Sequence, residues 1–141
     1  MQGTALRAEF KTLRGVWGII WSSALTGSPD WHRSDGIRFM LKGTKGTRVQ
    51  IRLVESSMKD SAVEGEHWYT PVSAPEQWTE IRVPFNNMVK DKGWQPPGAD
   101  NNGKLDLERV FDLRIVGANV DERIGSPTGI FYIDDLALYG L

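Results

Sequence analysis

In Gly36-Ile37-Arg38-Phe39-Met40-Leu41-Lys42, apolar Ile37, Phe39 and Leu41 alternate with Arg38, Met40 and Lys42. Successive side chains of an extended chain point to opposite faces, so this pattern predicts a strand with one buried face. Thr47-Arg48-Val49-Gln50-Ile51-Arg52-Leu53 repeats it, with Val49, Ile51 and Leu53 opposite Arg48, Gln50 and Arg52. Trp78 to Val83 does so again and stops at Pro84, which has no N–H to continue a ladder. Further strands are predicted over Ala5–Phe10, Val16–Ser22, Glu66–Val72, Phe111–Gly117 and Gly129–Leu138. No long window keeps helical spacing; the best candidate is a turn or two around Leu107–Val110. The expected fold is therefore all-β, a two-sheet antiparallel sandwich in a single domain over residues 1–141. Lys42-Gly43-Thr44-Lys45-Gly46 reads as a hairpin turn between the first two strands named.

The charge balance excludes several partners. Seventeen basic residues face eighteen acidic ones without a basic run, so neither nucleic acid nor an anionic membrane surface is an expected partner. No apolar stretch reaches the roughly 20 residues of a membrane helix. With no cysteine, disulfides, thiolate nucleophiles and cysteine-type zinc sites are ruled out. The start, Met1-Gln2-Gly3-Thr4, has no basic-plus-apolar export signal.

The chemistry in the chain is that of recognition more than reaction. His32 and His67 lie in different segments with no nucleophile elbow, and no phosphate-binding or dinucleotide loop is present. Glu64 and Glu66 are the carboxylates that extended geometry would place on one face, about 6–7 Å apart. That spacing suits a glycosidase pair, but nothing in the sequence predicts the apolar pocket that would raise one pKa for general-acid work. Six tryptophans are the positive signal, because an indole face covers the apolar C–H face of a pyranose.

Trp94 is the leading candidate. It opens the loop Trp94-Gln95-Pro96-Pro97-Gly98, whose prolines stiffen the backbone beneath a stacking side chain. Trp68 shares parity with Glu64 and Glu66 and is either a second platform or a core residue, in which case His67 and Tyr69 face outward. Trp17, Ile19 and Trp21 read as a core face, leaving Ser22 on the opposite side as a contact candidate. Trp78 reads as structural, and Trp31 is left unassigned.

Four segments carry a family resemblance: EGEHWY (Glu64–Tyr69), WTEIRVPFNNM (Trp78–Met88), WQPPGADNNGKLDLERV (Trp94–Val110) and GIFYIDDLALYG (Gly129–Gly140). Together with VWGIIWS (Val16–Ser22) they resemble the family 11 carbohydrate-binding modules, the string from Gln95 to Leu107 being the most specific part. The resemblance implies a jelly-roll sandwich with a concave sheet that binds single β-1,4 and mixed β-1,3-1,4 glucan chains by aromatic stacking and polar contacts. It also implies a non-catalytic, extracellular module linked to a glycoside hydrolase, with one or two structural calcium ions. Carried over residue by residue, it puts a family cleft tyrosine at Trp94, a cleft aspartate at Glu64, a histidine at Arg114 and an arginine at Asp91. Two cleft tyrosines fall instead at Val16 and Gly117. If the Gln50–Arg52 strand lies in the concave sheet, both side chains reach sugar hydroxyls. Asp134, the first of the adjacent pair with Asp135, is the implied calcium ligand; neighbouring strand residues cannot form a paired-carboxylate site without a bulge.

The chain also departs from the family. Met1 falls about where the family's second strand begins, which leaves an edge to be covered by a rearranged strand or by a second copy in a homodimer. The alternative function is an accessory or interaction domain that keeps the sandwich without the sugar site.

Overall fold

The computed structural model describes residues 5–11, 18–24, 31–57, 63–117 and 126–140, with the backbone only over 18–24. Nine strands are described: β1 (Leu6–Lys11), β2 (Gly18–Ala24), β3 (Gly36–Gly43), β4 (Arg48–Ser56), β5 (Glu64–Ser73), β6 (Thr79–Pro84), β7 (Val89–Lys90), β8 (Val110–Gly117) and β9 (Thr128–Tyr139). They form a four-stranded sheet, β1-β9-β3-β6, and a five-stranded sheet, β2-β8-β4-β5-β7. Every pairing is antiparallel. The described residues contain no α-helix; single 3-10 turns occupy Trp31–Arg33, Phe85–Asn87 and Leu107–Arg109. The last coincides with the helical turn expected at Leu107–Val110.

The alternation works as the sequence implies. Ile37, Phe39 and Leu41 of β3 are buried against Val49, Ile51 and Leu53 of β4, Leu113 and Ile115 of β8, and Phe131 and Ile133 of β9. Removing each such side chain from water is worth about 1.5–3 kcal/mol, which holds the two sheets face to face. Arg38, Met40 and Lys42 stand on the opposite face of β3. There Lys42 Nζ sits 5.4 Å from the Trp78 ring centroid and 4.9 Å from that of Tyr132. Trp78 thus belongs to an exposed cross-strand cluster on the outside of the four-stranded sheet.

The connection between β3 and β4 differs from expectation. The two strands lie in different sheets, so Gly43–Thr47 crosses between layers and is not a hairpin. Thr47 N–H closes a turn on Thr44 O at 3.0 Å, but the segment's other bonds leave it: Gly43 N–H to Pro75 O at 2.7 Å, and Thr44 N–H to Ile130 O at 2.9 Å. Gly46, with φ of 82°, gives the crossing its left-handed residue. A short glycine-containing link between alternating strands looks the same in sequence whether it pairs them or carries the chain across the core.

Two irregularities position side chains. In β5, His67 pairs with Val54 but Glu64 pairs with Ser56, so β5 carries one extra residue at Gly65–Glu66. Gly65 is needed there, because a Cβ would lie 2.7 Å from the Ser56 carbonyl oxygen. In β9, Asp134 pairs with Met40 but Ala137 pairs with Arg38, so a bulge follows Asp134 at Asp135 and Leu136, where Asp135 has φ of 52°.

Candidate functional site

Strand β4 is central in the five-stranded sheet and is buried along both faces. On the face away from the core it presents Gln50 and Arg52, flanked by Tyr69 and His67 on β5 and by Arg114 and Asp112 on β8. Arg52 is at the centre of the hydrogen bonding. It donates to Gln50 Oε1 at 3.2 Å, to Asp91 Oδ2 at 2.8 Å and to His67 Nδ1 at 3.0 Å. A guanidinium only donates, so Nδ1 of His67 accepts, and Nε2–H donates to Glu64 Oε2 at 3.0 Å. The other oxygen of Glu64 accepts from Arg114, whose Nε donates to Asp112 Oδ2 at 2.7 Å. One polar network therefore runs across β8, β4 and β5.

The network sets protonation states. Burial lowers the His67 pKa, outweighing the opposing hydrogen bond to Glu64, and so favours the neutral ring that the geometry requires. Burial by itself would raise the Glu64 carboxyl, but the Arg114 and His67 hydrogen bonds prevail and hold it below the usual range. Glu64 is therefore an ionised acceptor, a third of its side chain open to solvent, suited to sugar hydroxyls and not to general-acid work.

The loop after β7 places the aromatic platform. Asp91 Oδ1 accepts the N–H groups of Gly93 and Trp94, at 3.0 and 3.3 Å. Gln95 binds β5 like a short strand: its Oε1 accepts His67 N–H at 2.8 Å, and its Nε2 donates to His67 O at 3.0 Å and Asp91 O at 2.8 Å. Between these anchors the Trp94 ring stands on the His67 ring, centroids 5.2 Å apart and planes at 88°, with Trp94 55% exposed. Gly98 closes the Pro-Pro turn against the β5 backbone, where a Cβ would sit 2.7 Å from Glu64 O. Tyr69, half-buried on the same face, has the Arg52 guanidinium 5.6 Å from its ring centroid.

The structure brings Trp94, Glu64, Arg114, Arg52 and Gln50 together, but in different states. Gln50 and Arg52 are 1% and 5% exposed, beneath the surface instead of projecting from it. Trp68 is a correction: it is buried in the hydrophobic core, so Tyr69 and His67 hold the outward positions. The reason is the extra residue at Gly65–Glu66, which turns Glu64 outward while Glu66 and Trp68 keep the inward parity. The same shift separates Glu64 from Glu66 as a catalytic pair. The backbone of Ser22 pairs with Arg114; its side chain, the residues Val16 and Trp17, and the side chain of Trp21 lie outside the description. The sequence does not mark His67, Tyr69 and Asp112 as parts of this network, and it places Asp91 only at the position of a family arginine; the outward parity of His67 and Tyr69 is the available signal.

A second polar cluster lies under the same loop, at the end of the core. Oxygens of Glu55, Asp100 and Asp106 come within 4.8 Å of one another. Burial pushes the Glu55 carboxyl up to about 7, against the hydrogen bond that its Oε1 receives from Asp106 N–H. Its other oxygen, Oε2, is buried with no hydrogen-bond donor and lies 4.0 Å from the Arg109 guanidinium, while the buried Glu66 carboxyl beside it is pushed up by burial and by Asp100. The cations answering these carboxylates are Arg109, which bonds Asp100 and Asp106 and sits 4.0 Å from Glu55, the exposed Lys104, 4.0 Å from Asp106, and Lys90, whose charge acts on Glu66. The cluster is a set of hard oxygen donors with more carboxylates than cations, and would suit a divalent ion such as calcium. Asp134 does not gather such a set among the described residues; its Oδ1 accepts Asp135 N–H at 2.8 Å.

Comparison with known proteins agrees with this architecture. The model for the family described as "Carbohydrate binding domain (family 11)" matches residues 2–141. Endoglucanase H of Acetivibrio thermocellus is 29% identical over 130 residues, covering 92% of this chain, which spans only 13% of that enzyme's length. Among solved structures, the family 11 carbohydrate-binding module of the cellulosomal cellulase Lic26A-Cel5E of Clostridium thermocellum superposes with a TM-score of 0.80 at 24% identity, covering 97% of this chain and 75% of that one. The family 11 module from Clostridium thermocellum in complex with a β-1,3-1,4-mixed-linked tetrasaccharide gives 0.67 at 21% identity, covering 99% and 98%. The chain belongs to family 11 of the carbohydrate-binding domains, and is a binding module, not an enzyme.

Proposed function

We propose that this module binds single β-glucan chains, β-1,4 or mixed β-1,3-1,4, across the outer face of its five-stranded sheet. The observation that carries the reading is Trp94, a large aromatic more than half exposed and fixed beside a row of charged hydrogen-bonding groups. A pyranose stacked on its indole would have the Glu64 carboxylate and the Arg114 guanidinium within the same network to meet its hydroxyls. Tyr69 supplies a second aromatic on that face. In the natural protein the module would hold a linked glycoside hydrolase, outside the cell, close to its polysaccharide. Isothermal titration with barley β-glucan and with cellohexaose tests this: saturable, enthalpy-driven binding to both is expected. Absence of heat with any β-glucan would leave the accessory or interaction domain as the better account.

Calcium fits the same reading as a structural ion held by Glu55, Asp100 and Asp106, joining β4 to the segment that follows the Trp94 loop. It would neutralise carboxylates that otherwise repel one another. Adding millimolar calcium to chelator-treated protein is expected to raise the melting temperature, and Glu55→Gln should abolish most of the gain. An equal response in the Glu55→Gln protein would place the ion elsewhere.

A further inference from the structure

We propose that Asp91 and Gln95 are the positioning residues of the Trp94 platform, a bracket that fixes the indole over His67 before any ligand arrives, and that neither is a sugar contact. The proposal deepens the glycan-binding reading and rests on it for affinity alone.

The bracket is visible in where the backbone bonds go. Asp91 N–H donates to His67 O at 3.0 Å, tying the start of the loop to β5. The Asp91 side chain then divides its two oxygens. Oδ2 accepts the buried Arg52 guanidinium at 2.8 Å, and Oδ1 accepts the amides of Gly93 and Trp94. Immediately after Trp94, the Gln95 amide closes both the N–H and the C=O of His67, and adds the Asp91 carbonyl. The residues on either side of Trp94 are therefore fixed to the residue whose ring supports it. Pro96 and Pro97 then restrict the backbone that follows.

Both anchors are committed inward. The Asp91 side chain is 12% exposed and the Arg52 side chain 6%, and the Gln95 side-chain amide bonds the backbone of His67 and Asp91. Side chains so engaged have little left for a hydroxyl. What they supply is order: a platform already immobile loses little freedom when a sugar stacks on it, and preorganisation of that kind raises affinity without adding a contact. The network explains why the exposed Trp94 needs so much buried polar structure beneath it. Arg52 links β4, β5 and the loop, so Gln50, His67 and Asp91 are aligned together.

The test uses the full chain labelled with 5-fluorotryptophan, the Trp94 fluorine resonance being assigned by its loss in Trp94→Phe. In Asp91→Ala and Gln95→Ala the Trp94 resonance is expected to move or broaden in the free protein. Affinity for cellohexaose should fall about tenfold, equal to about 1.4 kcal/mol, although Trp94 is still present. Asp91→Asn keeps an oxygen for the Gly93 and Trp94 amides but turns an NH2 toward the Arg52 guanidinium, so it should recover only part of the affinity lost in Asp91→Ala. Should Asp91→Ala fail to fold because the buried Arg52 charge loses the Asp91 carboxylate, Gln95→Ala decides, since it removes no charge. An unchanged Trp94 resonance overturns the proposal, whether affinity is kept or lost; loss with an unmoved ring would make these residues sugar contacts. If the wild-type protein binds no β-glucan, the functional reading fails, and the free-protein resonances still judge the bracket.

Discussion

Trp94→Ala should lower affinity for cellohexaose by roughly 30-fold, about 2 kcal/mol, while leaving the melting temperature within a few degrees of the parent. The two halves of this expectation have separate causes. A stacked aromatic at a binding face is the kind of residue that dominates alanine scans, because truncation removes both its buried area and its directional contact. The fold does not depend on it in the same way: Trp94 is 55% exposed and its ring stands edge-on to His67 at the surface. Titration and thermal unfolding on the same preparation separate these effects. Affinity unchanged in a folded variant would move the glucan chain away from Trp94, toward Tyr69 on β5.

Arg52→Leu should do the opposite, costing about 3–5 kcal/mol of stability. The side chain is 6% exposed and pairs with Asp91, 12% exposed, at 2.8 Å. Leucine fills part of the volume but leaves the Asp91 carboxylate without its cation and removes donors from Gln50 Oε1 and His67 Nδ1. Breaking one side of a buried pair is costly because the remaining charge stays buried. For a domain of this size that corresponds to a fall in melting temperature on the order of 10–20 °C. Binding should be lost with it, as the loop carrying Trp94 is released. A loss of only a few tenths of a kcal/mol would mean that water reaches Asp91 freely and that the pair is not buried in solution.

The strands were legible because burial of one face of a sheet imposes a period of two, and Ile37–Leu41 and Val49–Leu53 carry that period without interruption. Trp94 was legible for a related reason. A bulky aromatic opening a Pro-Pro-Gly turn has no strand to hide in, and the structure leaves it exposed. The family resemblance came from short strings whose residues hold close approaches, such as Gly98 against Glu64 O and Gln95 against His67.

What only the tertiary structure decided begins at Gly65. Parity counted along β5 puts Glu64 beside Trp68, but one extra residue reverses it, because β5 must follow β4 past Ser56. Trp68 goes to the core and Glu64 to the outer face as a consequence. The fate of Gln50 and Arg52 was also outside the reach of periodicity. Alternation says that they leave the core, and it cannot say that Asp91 will cover them from a loop far along the chain. The Glu55, Asp100 and Asp106 cluster is assembled in the same manner, by a bend in the backbone between segments with no local relation. Period and turn chemistry are local, so the sequence by itself determined the strands and the platform. Which face a residue reaches after a bulge, and which charges meet across loops, depend on contacts between distant segments, and those were decided only when the sheets packed.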